Sequence, residues 1–186
     1  MMEGERGKGA KALGDIREQL GARREGLIES WLARTVDTYP RQAGQHLREQ
    51  RDPFRNPVGQ ALTETLPVLL DAVLGEGDLE AAGASLDRIT RIRAVQDFSP
   101  GEAVGFLFLL KDVIRKALEA EGAPGVAASA IQAVEDRIDR LVLLGFDRYA
   151  ACREQMAEIR VNEARRRLFV LERMHGGGAL HATEPQ

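Results

Sequence analysis

The residues that most often carry chemistry are scarce in this chain of 186 amino acids. A single cysteine, Cys152, cannot form a disulfide within the chain, which favours a reducing compartment such as the cytoplasm. The three histidines, His46, His175 and His181, do not combine with other potential ligands into a metal-binding pattern. No nucleophile, acid and base can be assembled into a catalytic set. We therefore expect neither an enzyme nor a bound metal or cofactor.

The balance of charge and the shortness of the apolar runs exclude further classes of protein. Lysine and arginine number 26 against 29 acidic residues, so the net charge of −3 gives no field that attracts nucleic acid. The longest strongly apolar run, residues 103–110, is far shorter than the roughly 20 residues of a membrane span, so no membrane insertion is expected. With 44% hydrophobic and 30% charged residues, the composition is typical of a globular protein.

Apolar residues recur at helical spacing along most of the sequence, and no strand pattern competes with them. Pro57 after Asn56 predicts a helix start, and so does the capping box formed by Ser99 and Glu102. Inside the helix that starts at Pro57, Pro67 predicts a kink. The expected fold is an all-α bundle of about six helices, at residues 12–38, 40–50, 57–74, 79–95, 100–120 and 126–173.

The last predicted helix is long and changes character half-way. Its 48 residues would extend roughly 70 Å at about 1.5 Å per residue. The first half carries core-type residues, whereas arginine and glutamate crowd the second half and leave only a narrow apolar stripe. Such a stripe favours pairing with another helix over burial in a monomer core. The candidate dimer and partner surface comprises Tyr149, Met156, Ile159, Arg160, Leu168 and Leu171.

Two further clusters are candidate sites. In the helix at residues 79–95, the expected inward residues are Leu86, Ile89, Ile92 and either Val95 or Gln96, with Arg93 pointing elsewhere. Arginines three positions apart repel unless they meet carboxylates or an anion. Asp87, Asp97 and Glu102 are available partners for Arg88 and Arg91. An ion-pair network that ties this helix to the capped loop is favoured over an anion site, and the candidate cluster is Arg88, Arg91, Asp97 and Glu102. A kink at a proline can leave a cavity, and the candidate pocket is formed by Leu66, Pro67, Phe106 and Leu110.

Several sequence strings, in this order, look like one known domain. They are Asp52-Pro53-Phe54, Asn56-Pro57-Val58-Gly59, Arg91-Ile92-Arg93-Ala94-Val95-Gln96-Asp97-Phe98-Ser99-Pro100, the run from Phe106 to Lys111, Phe146-Asp147-Arg148-Tyr149, Cys152-Arg153-Glu154 and Ile159-Arg160-Val161-Asn162-Glu163. Over about residues 16–171, the chain resembles the amino-terminal domain of RsbR-type co-antagonists, in particular of the RsbRD type.

The resemblance implies a globin-like sensory or scaffolding domain that holds no haem and pairs through its long last helix. The family domain usually precedes a STAS or kinase output domain, whereas this chain ends shortly after the last helix. We expect one domain at residues 12–173 between flexible ends at residues 1–11 and 174–186, without phosphorylatable STAS sites. The expected partners are a second copy and a protein of signalling or respiratory regulation. The alternative is a sensor of an apolar small molecule such as a fatty acid.

Overall fold

The computed structural model describes residues 14, 16–50, 52, 54–120 and 128–176, and every structural statement below concerns those residues. Most of them are helical, none lies in a strand, and the helix at the carboxyl end is long, which confirms the predicted fold class. Residues up to Tyr149 belong to one compact unit and residues from Ala150 onward to a second. The predicted flexible ends lie outside the described residues, apart from residues 174–176, which continue the last helix.

In the described part of the chain, a helical stretch at residues 16–21 precedes seven helices. They are α1 (Arg24–Val36), α2 (Arg41–Glu49), α3 (Pro57–Val73), α4 (Leu79–Val95), α5 (Pro100–Gly105), α6 (Leu109–Ala120) and α7 (Ala128–Gly176). The predicted bounds of α2, α3 and α4 agree with these within one residue. Two predictions of a single helix were wrong, because the chain turns at residues 22–23 and again at residues 106–108.

The turn between α5 and α6 has a tertiary cause. In an uninterrupted α-helix the amide of Leu110 would donate to the carbonyl of Phe106, but here it donates to Leu107 at 3.2 Å. The freed carbonyl of Phe106 accepts the indole N–H of Trp31 from α1 at 2.8 Å, and both residues are fully buried. The rings of Trp31 and Phe106 are also stacked, with their centroids 6.2 Å apart. The break therefore satisfies the one polar atom of a buried tryptophan.

The core of the first unit lies between α1, α3, α4 and α6. Helix α3 packs along α4, and α1 packs on α3 and α6. Gly145 lets the first part of α7 approach closely, since a Cβ atom there would lie 3.0 Å from Leu86 and 3.2 Å from Val104. The largest fully buried apolar side chains are Trp31, Phe106, Ile16, Leu20, Leu62, Leu66, Leu69, Leu70, Leu86, Ile89 and Leu107.

Asn56 fixes the connection between α2 and α3 with both ends of its amide. Its Oδ1 accepts the amide of Gly59 at 2.8 Å, which caps α3 as predicted. Its Nδ2 donates to the carbonyls of Leu47 at 3.0 Å and Gln50 at 2.8 Å. The side chain is almost fully buried. Asn56 thus caps α3 and also binds two carbonyls at the end of α2, an arrangement that we call the clamp.

We expect Asn56→Asp to lower the free energy of unfolding by about 1–3 kcal/mol, although aspartate and asparagine cap helices equally well. The carboxylate would keep the cap but turn an acceptor toward the two carbonyls that now receive donors. The measurement is urea denaturation followed by circular dichroism. The matched control is Asp78→Asn, at a cap where the side chain only accepts, from the amides of Glu80 and Ala81. Equal stability of Asn56→Asp and the unchanged protein would show that the clamp contributes nothing.

Candidate functional site

A fully buried arginine is the main polar feature of the first unit. Arg93 has no exposed surface, whereas Val95 and Gln96, one of which was predicted to face inward, are both exposed. The predicted inward face of this helix therefore missed Arg93. Its guanidinium donates to the hydroxyl of Tyr39 at 3.2 Å, to the carbonyl of Glu102 at 2.8 Å and to the hydroxyl of Thr38 at 3.1 Å. One side chain thereby joins the end of α1 to α4 and α5.

Three aromatic rings surround this guanidinium. Its central carbon lies 4.8 Å from the ring centroid of Tyr39, 5.1 Å from that of Phe98 and 4.7 Å from that of Phe106. Burial lowers the pKa of Arg93 from its usual value, an effect that Tyr39 and Glu102 oppose. The aromatic faces and the three oxygen acceptors stabilise the cation. We call Arg93 with these three rings the arginine cage.

A local backbone motif builds one wall of the arginine cage. Helix α4 ends in a Schellman motif, in which Asp97 adopts a left-handed φ of 58° and the amide of Phe98 donates to the carbonyl of Arg93 at 3.1 Å. This motif brings the residue after the turn back over the last helical turn. The carbonyl of Phe98 then accepts the hydroxyl of the buried Tyr149 on α7. The arginine cage therefore also contacts the last residue of the first unit.

The two arginines of the predicted ion-pair cluster pair with different carboxylates. Arg88 pairs with Glu64 on α3, and Arg91 with Asp87 one turn earlier on α4, with 2.7 Å between Nε and Oδ2. The carboxylate of Glu102 accepts the amide and the hydroxyl of Ser99, which completes the predicted capping box. Those two bonds, with a smaller contribution from Arg93, lower the pKa of Glu102. An anion site at these residues stays a prediction.

The predicted pocket residues lie in the core or beside it. Leu66, Phe106 and Leu110 are buried and Pro67 is half-buried inside α3. A cavity of about 680 Å³ lies elsewhere, between α1, α2 and α3. Its apolar part is formed by Leu32, Ala33, Val36 and Leu47, and its rim by Glu29, Arg48, Gln50, Asn56, Gly59, Gln60, Thr63 and Glu64. Sequence spacing within single helices could not reveal a cavity that three helices form together.

A second cavity, of about 570 Å³, lies where α7 meets the turn between α3 and α4. Arg137 of α7 closes one side of it and donates to the carbonyl of Ala72 at 2.7 and 3.0 Å and to that of Gly77 at 3.2 Å. Burial, followed by the nearby charge of Arg140, lowers the pKa of Arg137. The guanidinium is engaged with backbone at the end of α3, so its role there is structural.

In the second unit, α7 exposes many apolar side chains. Ile159, Val161, Leu168, Phe169, Val170 and Leu171 are each between 49% and 59% exposed. Arg160 is exposed as well, and Met156 is half-buried. Of the predicted partner surface, only Tyr149 differs, since it is buried and belongs to the first unit. Cys152 is a free cysteine and is buried.

The described residues offer neither a candidate metal site nor a helix that could cross a membrane. They contain no group of three or more histidine, cysteine, aspartate or glutamate side chains that could hold a metal ion. His46 is exposed on α2, where its Nε2 lies 3.1 Å from the carbonyl of Arg55. None of the described helices is both long enough and apolar enough to cross a membrane.

The class of protein that the structure defines is an all-helical domain with a long carboxyl-terminal helix and no strands among its described residues. The chain belongs to the family described as the RsbT co-antagonist protein rsbRD N-terminal domain, whose model matches residues 25–164. This match confirms the resemblance inferred from the sequence and places the chain among regulatory signalling domains. No curated protein and no solved structure matches the chain.

Proposed function

We propose that this chain is a non-catalytic, cytoplasmic regulatory module that forms a homodimer and docks a signalling protein through α7. The observation that carries the proposal is the set of half-exposed apolar side chains between Ile159 and Leu171. Exposed apolar residues grouped on one element mark protein interaction sites more often than isolated ones do. The family's regulatory character supports a protein as the partner.

The charges around these residues support contact with protein rather than with lipid or nucleic acid. Arg160, Arg165, Arg166 and Arg167 are interleaved with Glu158, Glu163 and Glu172 along α7. Mixed charges give little attraction to a polyanion, but they can select a partner helix and its orientation. An interface of apolar positions flanked by such charges fits a helical surface best.

The alternative is a sensor that binds an apolar small molecule, and one observation favours it. The cavity between α1, α2 and α3 has the size of a ligand site, and Leu32, Val36 and Leu47 give it an apolar interior. A fatty acid or a similar amphiphile has matching chemistry. In this version the ligand binds in the first unit, while α7 still carries the response.

Native mass spectrometry of the full chain, supported by sedimentation equilibrium, tests both versions. We expect twice the mass of one chain, and a double substitution Ile159→Glu with Leu168→Glu to raise the dimer dissociation constant at least tenfold. Two carboxylates would be desolvated in the interface, whereas the monomer loses little because both side chains are half-exposed.

The matched control is Val95→Glu, which changes an exposed apolar residue on α4 and should leave the dimer intact. A chain that is monomeric at high concentration would refute the proposed dimer. A constant additional mass of a few hundred daltons per chain would favour the sensor, and its loss in Val36→Trp would locate the ligand in the cavity.

A further inference from the structure

The cavity of about 680 Å³ between α1, α2 and α3 combines an apolar wall with a charged rim. Val36 is buried, and Leu32 and Leu47 are half-buried and pack against the core. The charged residues of the lining are all exposed, and they are Glu29, Arg48 and Glu64. Cavities of this size with apolar walls and few polar groups are typical of small-molecule sites. The charge of the rim therefore decides which apolar molecules the cavity accepts.

Three uncharged polar residues of the lining are engaged within the protein. Asn56 uses both ends of its amide in the clamp. The hydroxyl of Thr63 donates to the carbonyl of Gly59 at 2.9 Å. The Nε2 of Gln60 donates to the carboxylate of Glu64 at 2.7 Å. A ligand that displaced one of these bonds would have to replace it, so selection is left to the apolar wall and the charged rim.

Two of the three charged residues at the rim have partners of opposite charge outside the lining of the cavity. Arg48 on α2 pairs with Asp37, just after α1. Glu64 on α3 pairs with Arg88 on α4. Neither Asp37 nor Arg88 lines the cavity. The two pairs add no net charge to the rim, and an anionic head group could bind Arg48 only in competition with Asp37.

Glu29 leaves the rim with one uncompensated negative charge. Within the residues that the structure describes, its carboxylate forms no hydrogen bond and no ion pair. Glu25 lies one turn earlier on the same face of α1, where a second carboxylate adds to the negative potential. An uncompensated carboxylate beside an apolar wall attracts a cation and repels an anion. The rim therefore favours an amphiphile with a positive head group over a fatty acid, whose carboxylate would lie near Glu29.

We propose that the cavity binds an apolar molecule with a single positive charge, a monoalkylammonium or a compound of the same chemistry, with its chain against the apolar wall and its head group beside Glu29. The head group stays at the exposed rim and keeps much of its hydration, while the chain leaves water for the apolar wall. This inference rests on the sensor version of the proposed function and specifies the charge of the ligand that the sensor binds.

Isothermal titration calorimetry of the full chain with decylammonium, decanol and decanoate tests the charge preference. The three probes share one alkyl chain and differ in the head group, and each is used below the concentration at which it aggregates. An exposed ion pair changes an affinity by about fivefold at most. We expect decylammonium to bind roughly three- to fivefold more tightly than decanol, and decanoate to bind more weakly than decanol by a similar factor.

Four variants locate the ligand and its charge. Glu29→Gln should bring the affinities of decylammonium and decanol together and leave that of decanol unchanged. The matched control is Glu25→Gln, which removes the same charge one turn away, outside the lining, and should keep most of the preference. Ala33→Trp and Thr63→Trp each place a large ring in the cavity from an exposed position and should weaken all three probes at least tenfold. Circular dichroism verifies that each variant is folded.

The possible results separate this inference from the proposed function. Equal affinities for the three probes, or tightest binding of decanoate, would overturn the inference but leave the sensor version standing. A preference for decylammonium that survives Glu29→Gln, or binding that survives both tryptophan substitutions, would place the ligand elsewhere and also overturn it. Binding of none of the probes would refute both the inference and the sensor version, whereas sedimentation measures the dimer independently.

Discussion

Replacing Arg93 by alanine is expected to lower the free energy of unfolding by about 3–4 kcal/mol. The substitution removes three hydrogen bonds and leaves the carbonyl of Glu102 and the hydroxyls of Thr38 and Tyr39 without their donor. It also opens a cavity between the rings of Phe98 and Phe106, because the guanidinium fills that space. Urea denaturation followed by circular dichroism measures the loss.

Two variants show whether charge, volume or position causes this effect. Arg88→Ala removes an arginine from the same helix, but its ion pair with Glu64 is largely exposed, so the expected change is within about 0.5 kcal/mol. Arg93→Met retains most of the volume and removes a costly buried charge, so it should lose less than Arg93→Ala. If the free energy of unfolding of Arg93→Ala lies within 1 kcal/mol of that of the unchanged protein, the arginine cage does not hold α1, α4 and α5 together.

Replacing Trp31 by alanine is expected to cost about 3–5 kcal/mol, the largest effect of a single apolar substitution in this chain. The side chain is fully buried, its ring stacks on that of Phe106, and its indole donates to the Phe106 carbonyl. In a chain of this length the midpoint of thermal unfolding would fall by roughly 10–15 °C. Because Trp31 is the single tryptophan, the measurement uses far-ultraviolet circular dichroism rather than fluorescence.

Trp31→Phe separates the packing of the ring from its hydrogen bond. Phenylalanine retains much of the apolar volume but leaves the carbonyl of Phe106 without the indole donor, so a smaller loss of about 1–2 kcal/mol is expected. Equal losses for the two variants would show that the hydrogen bond, rather than the burial of the ring, dominates. In that case Phe106 carries most of the local packing by itself.

Helix starts were predictable because their causes are local. Asn56 before Pro57, and Ser99 with Glu102, satisfy free amides within one turn, and the structure has both caps where the sequence places them. The change of character along α7 was equally visible, since arginine and glutamate replace core residues in its second half. Short-range hydrogen bonding and periodicity need no knowledge of the rest of the chain.

Predictions from the sequence were wrong where residues far apart in the chain determine the local structure. Periodicity runs unbroken through residues 106–108, yet the helix breaks there because Trp31, 75 positions earlier, takes the carbonyl of Phe106. Arginine is an outward residue by its chemistry, but Arg93 turns inward because three aromatic rings and three oxygen acceptors meet around it. Neither arrangement can be recognised from the spacing of apolar residues within a single helix.

By itself, the sequence determined the all-α class and the mixed, partly apolar surface of the last helix, because these depend on composition, periodicity and local caps, and its motif strings indicated the family. Only the tertiary structure decided which arginine is buried, where two long helices divide, which residues line a cavity and that Tyr149 lies inside rather than on the partner surface. The physical reason is that a buried polar group needs partners, and those partners come from helices far apart in the chain.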